Sequence, residues 1–326
     1  MLNKTSKIIL ALALLVVLMV LPHLFTMDYY LHIFVMSEIY AVLALSLALI
    51  VGFSGQVSMG HAAFYGVGAY VSAILSTKYG LSFWISFWLS GIAAGAVSYV
   101  LGRLVLRLRG HVLAITTAFF CVLVNVVMVN WIPVTNGPMG IAGIPRPTPI
   151  DLFGLRIVFE TRLHYYYLGL VFVAAVSWFF YRITSSRIGD NLIGIRENEE
   201  LAKSVGIDTM KFKVFAFAVG GALAGLAGSF YAHYILFISP VTFTIGESIN
   251  MLVMVIFGGM STLLGPIMGA ISLTVLPEFL RMAGALRLVI YGVALICFII
   301  WLPQGVWGSI KNYIINKKTQ KTTQDV

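Results

Sequence analysis

Runs of about twenty apolar residues recur along almost the whole chain, separated by short clusters of charge, glycine or proline. Crossing a hydrocarbon core of about 30 Å takes roughly 20 mostly apolar residues in a helix, and backbone in lipid must satisfy its own hydrogen bonds. The runs are continuous rather than alternating, which favours helices over the strands of a membrane barrel. With 60% hydrophobic and 10% charged residues, the chain lies far outside the range of soluble domains. We therefore predict an all-α fold, a polytopic transmembrane helix bundle.

The apolar runs predict about ten spans, within a range of eight to ten. The first run follows Lys4 and Lys7 without a small-residue cleavage signal, which favours an uncleaved span over a signal peptide. The third is rich in glycine and alanine and is compatible with a re-entrant segment, and the ninth is short and interrupted by Pro277 and Glu278. The predicted spans are residues 8–25, 31–51, 57–76, 82–102, 112–132, 164–183, 212–232, 248–264, 266–281 and 287–303.

The distribution of positive charge predicts the orientation of the chain. With the amino terminus inside, both termini and residues 185–213 lie in the cytoplasm, as the positive-inside rule requires. The net charge of +9 is then explained by cations that face anionic membrane lipid, and no nucleic-acid partner is needed. Six of the 21 Lys and Arg residues would face outside, namely Lys78, Arg146, Arg156, Arg162, Arg281 and Arg287.

The longest polar interruption is residues 185–213, here named the polar segment. Its apolar residues recur at helical spacing on both sides of a break: Ile188, Leu192 and Ile195, then Leu201, Ala202 and Val205. Asn198 is a favourable N-cap for the second helix, and Gly206 is a natural C-terminal stop. An amphipathic element with mixed charge suits docking to a soluble partner. A solvated linker whose apolar stripe lies on its own bundle is the alternative.

Glycine also interrupts the second and third runs. The stretch Gly52 to Gln56 is a poor helix interior, so its backbone groups should face protein or a polar cavity. A later stretch repeats the pattern, because Phe53-x-Gly55-x-x-Ser58 is echoed by Phe257-x-Gly259-x-x-Thr262. The candidate residues of a translocation path are therefore Gly52, Ser54, Gly55, Gln56, Ser58 and Gly259. Small residues spaced by four predict close helix packing at Ser58, Ala62 and Gly66, and at Gly220, Ala224 and Gly228.

Several kinds of chemistry lack their motifs in this sequence. Without a G-x-x-x-x-G-K-[ST] phosphate loop, any ATP hydrolysis must come from another chain. Cys121 and Cys297 are isolated in apolar runs and indicate neither a disulfide framework nor a metal site.

Two alternative functions remain open at this point. Gly52-Phe53-Ser54-Gly55 resembles the nucleophile motif of rhomboid intramembrane proteases, with His233 or His164 as the base that Ser54 would require. An ion-coupled secondary transporter would instead need intramembrane carboxylates. The candidates for these carboxylates are Glu38, Glu247 and Glu278.

The polar segment resembles the coupling loop of branched-chain amino acid ABC transporter permeases of the LivM type. The matching residues are Ser186-Arg187-Ile188-Gly189, Ile195-Arg196-Glu197-Asn198-Glu199, Ala202 and Val205-Gly206-Ile207. Four further stretches resemble the same family, and they run from Gly52 to Phe64, from Thr135 to Pro145, from Phe217 to His233 and from Gly258 to Pro266. Asn136 departs from the family, which often has glycine there.

The resemblance implies a single transmembrane permease domain over residues 1–326, with 133–163 as an extracytoplasmic loop and 185–211 as a cytoplasmic coupling loop. Its residues that would contact the ATPase are Arg187, Gly189, Ile195, Arg196, Glu197, Asn198, Glu199, Ala202 and Gly206. The implied function is import of branched-chain amino acids, or related amino acids or short amides, across the bacterial cytoplasmic (inner) membrane. The implied partners are a second homologous permease, two cytoplasmic ATP-binding subunits and an extracytoplasmic substrate-binding protein. No cofactor, metal or enzymatic activity of its own is implied.

Overall fold

The computed structural model of the chain describes residues 18–23, 27–152, 155–280, 286–301, 305 and 307–308, and these are mainly helical. The helices are α1 Asp28–Ala48, α2 His61–Lys78, α3 Phe83–Val105, α4 Gly110–Asn130, α5 Ile132–Thr135, α6 Arg162–Thr184, α7 Arg187–Glu197, α8 Glu199–Ser204, α9 Thr209–Ile235, α10 Ile245–Gly258, α11 Leu264–Phe279 and α12 Arg287–Trp301. Two short antiparallel pairs join β1 Ile141–Ala142 to β4 Phe237–Ile238, and β2 Ile150–Leu152 to β3 Leu155–Ile157.

Six described helical segments are long and apolar enough to cross a membrane. They are Asp28–Phe53, Phe83–Val105, Gly110–Asn130, Arg162–Thr184, Thr209–Ile235 and Pro240–Gly258. A shorter apolar helix, α11, follows them. The prediction of an all-α polytopic bundle is confirmed. The count of about ten stays a prediction, and its first span, residues 8–25, lies mostly outside the described residues.

Helix α9 lies at the centre of the bundle, against α1, α2 and α3. Glycine lets these helices approach closely, because a Cβ on Gly228 would lie 2.1 Å from the carbonyl oxygen of Tyr65. A Cβ on Gly68 would lie 2.2 Å from the carbonyl oxygen of Gly225. The close packing that the small-residue spacing predicts along Gly220, Ala224 and Gly228 is thus present.

The span Asp28–Phe53 ends in an irregular stretch. Helix α1 continues as a π-helical turn over Leu49–Phe53, and α2 begins only at His61. Gly55 has φ of 69°, a left-handed conformation that favours glycine. The prediction that this stretch is no regular helix interior is therefore confirmed, and the third predicted span forms the buried helix α2.

The loop before α6 is tied to the bundle at the opposite end from the polar segment. Strand β1 pairs with β4, which directly follows α9. Asn136 has φ of 63°, and its Nδ2 donates to the carbonyl oxygen of Gly140 at 2.8 Å. Asparagine is one of the few residues that adopt this left-handed conformation readily. Asn136 therefore adopts the left-handed backbone conformation that a glycine at this position would also allow.

Candidate functional site

The polar segment folds into α7 and α8, and side chains cap both helices, of which only the cap at Asn198 was predicted. The Oγ of Ser186 accepts a hydrogen bond from the amide of Ile188 at 3.2 Å, and Oδ1 of Asn198 accepts from the amide of Leu201 at 3.0 Å. Gly206 has φ of 87°, and the next amide donates to the carbonyl oxygen of Ala202 at 3.0 Å. This left-handed turn ends α8, because the amides that follow the helix donate to carbonyl groups of its last turn.

One face of the polar segment is buried against the bundle and the other is open. The buried residues on the two helices are Gly189, Leu192, Ile195 and Ala202. A Cβ on Gly189 would lie 2.2 Å from the carbonyl oxygen of Thr184, so this glycine permits the close return of the chain after α6. Among the predicted ATPase contacts, Arg187, Glu197, Asn198 and Gly206 are exposed.

Two apolar side chains stand on the open face. Leu201 is 62% exposed and Val205 is 69% exposed, and they are four residues apart. Their spacing places them together at the tip of α8. The sequence pattern grouped Ala202 with them, but Ala202 packs inward. The exposed apolar surface of α8 therefore consists of Leu201 and Val205, without the Ala202 that the sequence pattern had included.

Arg196 connects the polar segment to the two glycine-rich stretches. Its Nη1 donates to the carbonyl oxygen of Gly52 at 2.6 Å and to Oγ of Ser261 at 2.5 Å. Its Nε and Nη2 donate to Oε1 of Glu197 at 3.1 and 2.6 Å. The side chain is only 28% exposed. Ser261 was absent from the predicted site, although it lies inside the Gly258 to Pro266 stretch that resembles the permease family.

The two glycine-rich stretches, residues 52–56 and 258–262, lie against each other and are named the paired breaks. A Cβ on Gly52 would lie 1.9 Å from the carbonyl oxygen of Met260. Gly259, with φ of 116°, follows the end of α10. A Cβ on Gly55 would lie 2.7 Å from Cγ of Arg196. The repeated sequence pattern therefore corresponds to two helix interruptions that pack against each other and are both contacted by Arg196.

The other predicted path residues lie in or beside the first break. The Ser54 hydroxyl donates to the carbonyl oxygen of Ile50 at 2.7 Å, and Nε2 of Gln56 donates to the carbonyl oxygen of Ser54 at 3.0 Å. Ser58 is buried, and its Oγ accepts from the amide of Gly60 at 3.4 Å. The side chains thus replace hydrogen bonds that a regular helix would supply. Whether these residues line a path stays a prediction.

Glu199 anchors the polar segment at a second place. Its Oε1 lies 3.1 Å from Nζ of Lys213 and 3.2 Å from Nζ of Lys203. Lys213 is only 2% exposed and also donates to the carbonyl oxygen of Leu106 at 3.1 Å. Partial burial raises the pKa of Glu199, but hydrogen bonds from Lys213 and Lys203 outweigh it and hold the pKa below its usual value. The start of α9 and the end of α3 are thereby joined to α8.

Sequence reasoning missed Lys213 and Arg109 as partners of Glu199. Arg109 contacts Glu199 at 3.6 Å and Glu200 at 2.6 Å. The hydrogen bond to Arg109 lowers the pKa of Glu200. The only signal in the sequence was the position of Lys213 at the start of an apolar helix. A cation that becomes buried there requires an acidic partner.

The arrangement of Ser54 does not fit the protease alternative. A serine nucleophile needs a histidine base within hydrogen-bond reach. The Nε2 of His233 is 3.0 Å from Oγ of Ser72, and its Nδ1 is 2.6 Å from the carbonyl oxygen of Pro145. The Nδ1 of His164 is 3.0 Å from Oγ1 of Thr161. Both imidazoles are thus engaged with other groups.

The carboxylates that an ion-coupled transporter would use do not form one site. Both carboxylate oxygens of Glu38 are buried without a hydrogen-bond partner among the described residues. The hydroxyl of Tyr29 donates to Glu278. Within the part of the chain that the structure describes, no three His, Cys, Asp or Glu side chains could hold a metal ion together.

Known transport permeases are similar to this chain over most of its length. The branched-chain amino acid transport system permease component family matches residues 29–299. The high-affinity branched-chain amino acid transport system permease protein LivM of Escherichia coli K12 is 34% identical over 289 residues, which are 83% of this chain and 68% of LivM. The ribose import permease protein RbsC of the same strain is 25% identical over 299 residues, 87% of each chain. No solved structure matches the chain significantly.

The family match covers most of the chain and includes both paired breaks and the polar segment. Relatives of this kind are permease subunits and not enzymes themselves. The chain is accordingly a multi-pass membrane protein that works in a transporter complex with other subunits. It belongs to the family of branched-chain amino acid transport system permease components.

Proposed function

We propose that this chain is a permease subunit of an ATP-driven importer that forms part of the path for branched-chain amino acids, or related amino acids or short amides. The observation that carries the proposal is the bond of Arg196 to both paired breaks. A permease without its own ATPase needs a physical link between the docking element and the path. Arg196 supplies such a link, because it belongs to the polar segment and touches both helix interruptions.

The exposed tip of α8 is the proposed contact with the ATP-binding subunits. Leu201 and Val205 offer an apolar anchor, and charged Glu197, Glu200 and Lys203 surround it. Binding energy at protein interfaces concentrates in a few desolvated apolar anchors, while a charged rim fixes the register. The buried residues Gly189, Ile195 and Ala202 would then act indirectly, by holding the tip against the bundle.

Two anchors would transmit the motion of the ATPases into the bundle. Arg196 is bonded to the paired breaks, and Glu199 is bonded to Lys213 at the start of α9. When ATP closes the ATPase pair, α7 and α8 would move as one body and displace both elements together. Discontinuous helices commonly line the substrate path of transporters, which suits the paired breaks to the gate.

The complete assembly would contain a second homologous permease, two cytoplasmic ATP-binding subunits and an extracytoplasmic substrate-binding protein. In this arrangement the polar segment and both termini face the cytoplasm of a bacterium. Residues 133–163 face the binding protein, and eight to ten spans lie in membrane lipid. High affinity for the amino acid would reside mainly in the binding protein.

The docking surface is tested by adding charge to the apolar tip. Leu201→Glu combined with Val205→Glu should abolish co-purification of the ATP-binding subunits and ATP-driven leucine uptake in proteoliposomes. Tyr79→Glu is the matched control, because Tyr79 is 72% exposed after α2 at the other end of the bundle. Retention of the ATP-binding subunits and of full uptake by the double variant would refute the proposed docking surface.

A further inference from the structure

A half-buried carboxylate lies at the end of α10 that is farther from the paired breaks. Glu247 occupies the first turn of α10, the helix that Gly259 follows. Its Oε1 is buried and has no hydrogen-bond partner among the described residues. Tyr40 and Asn250 interact with the carboxylate, and they come from α1 and α10. Glu247 belongs to the candidate span Pro240–Gly258, and acids within membrane spans are costly and most often functional.

Aromatic side chains surround this carboxylate. Tyr65 of α2 and Tyr231 of α9 lie close enough for its charge to act on their hydroxyl groups. The ring centroids of Tyr65 and Tyr231 are 5.5 Å apart, and those of Tyr65 and Phe243 are 5.0 Å apart. Rings and hydroxyl groups beside a carboxylate attract a cation that carries hydrogen-bond donors. Four helices therefore contribute aromatic side chains and one carboxyl group to the same region.

The same helices lead directly to the paired breaks. Helix α1, which carries Tyr40, continues into the π-helical turn that contains Gly52, and α10 ends at Gly258, directly before Gly259. The neighbouring Ser248 accepts a hydrogen bond from the amide of Ala62 at 2.9 Å, at the start of α2. Glu247 thus lies on the helices whose interruptions Arg196 joins. A group bound at Glu247 would be positioned above the proposed gate.

Glu38 offers an internal comparison. A Cβ on Gly169 would lie 1.9 Å from its Oε2, so the backbone of α6 closes directly over this carboxylate. Glu38 is therefore sealed in the seam between α1 and α6. Glu247, in contrast, is half-buried and shares its surroundings with polar and aromatic side chains.

We propose that Glu247, with Tyr40, Tyr65 and Tyr231, forms a substrate subsite that binds the ammonium group of an amino acid on its way to the paired breaks. The inference rests on the proposed function, since it names a contact for the cargo of that importer. A primary ammonium supplies three donors and a positive charge, which match the unpartnered oxygen and the surrounding hydroxyls. The aliphatic side chain of the amino acid is not specified by this subsite.

The test uses the complete transporter in proteoliposomes, with leucine-loaded binding protein at saturation. Glu247→Gln should lower leucine uptake per ATP hydrolysed at least tenfold, whereas the isosteric Glu38→Gln should remain within twofold of the wild type. Isoamylamine, which keeps the ammonium and the aliphatic chain of leucine, should inhibit the wild type and inhibit Glu247→Gln at least tenfold less. A merely structural role for Glu247 would not alter that inhibition selectively.

The possible failures are distinguishable. If the wild-type complex takes up no leucine with ATP, the proposed function itself is wrong. If the wild type transports and Glu247→Gln matches Glu38→Gln, the ammonium subsite is wrong while the proposed function stands. Should Glu247→Gln not assemble, Tyr40→Phe keeps the ring and removes the hydroxyl, and wild-type uptake and amine inhibition in that variant would overturn the inference.

Discussion

Removal of the Arg196 guanidinium should uncouple ATP hydrolysis from transport. Arg196→Ala deletes the group that donates to the carbonyl oxygen of Gly52 and to Oγ of Ser261. The bond that remains between the paired breaks at this point is the long one from Oγ of Ser261 to the carbonyl oxygen of Gly52, at 3.4 Å. A hydrogen bond from a charged donor contributes about 1.5 to 3 kcal/mol, and the partial exposure of Arg196 favours the low end. Since the two bonds share one donor atom, we expect a loss of about 2 to 3 kcal/mol in coupling between α7 and the paired breaks. At about 1.4 kcal/mol per factor of ten, leucine uptake per ATP hydrolysed should fall about 30- to 150-fold.

The assay is initial leucine uptake and ATP hydrolysis by the same proteoliposomes. Arg182→Ala is the matched control, because Arg182 is an exposed arginine of α6 that lies over the ring of Trp178 instead of bonding to Gly52 or Ser261. Ser261→Ala should give a smaller loss, and the double variant with Arg196→Ala should be less than additive. An Arg196→Ala transporter that keeps full uptake per ATP would refute the role of this arginine as a link.

Glu199→Gln leaves Lys213 buried without an anionic partner and should destabilise the permease by about 2 kcal/mol. Because the pKa of Glu199 is lowered in the fold, its contribution to stability is present above the ordinary glutamate pKa and is lost as the pH falls through the lowered value. The thermal unfolding temperatures of wild type and variant should therefore converge in acid. Gly55→Ala should reduce uptake per ATP by displacing Arg196, whereas Gly80→Ala, with φ of 66° and open space around it, should affect only stability; equal transport losses in the two variants would contradict this. Ser54→Ala should leave transport per ATP unchanged, and a large loss would show that the hydroxyl does more than bond to its own helix.

Local features of the polar segment could be predicted from the sequence because they depend on neighbouring residues. Asn198 caps α8, and Gly206 ends it in a left-handed conformation, as their residue types indicate. Glycine in the stretch from Gly52 to Gln56 likewise indicated an interruption, which the π-helical turn and the non-helical residues after it provide. Each of these features follows from steric and hydrogen-bonding preferences within a few residues.

The joining of distant elements could not be predicted in the same way. Arg196 is 144 residues from Gly52 and 65 from Ser261, and their contact depends on how α1, α7 and α10 pack in three dimensions. Periodicity alone also placed Ala202 with Leu201 and Val205, although the neighbouring helices decide which of the three is covered. The number of spans could not be predicted from composition for a related reason, since short or glycine-rich helices become stable only through their neighbours.

The central claim is that force from a separate ATPase enters this permease through the polar segment. The most direct measurement is leucine uptake by proteoliposomes that contain the complete complex, with ATP present and the proton gradient dissipated. We predict that uptake continues under these conditions and disappears when the ATP-binding subunits are omitted or when Leu201 and Val205 are both replaced by glutamate. Leucine uptake by the permease without ATP-binding subunits would contradict the account.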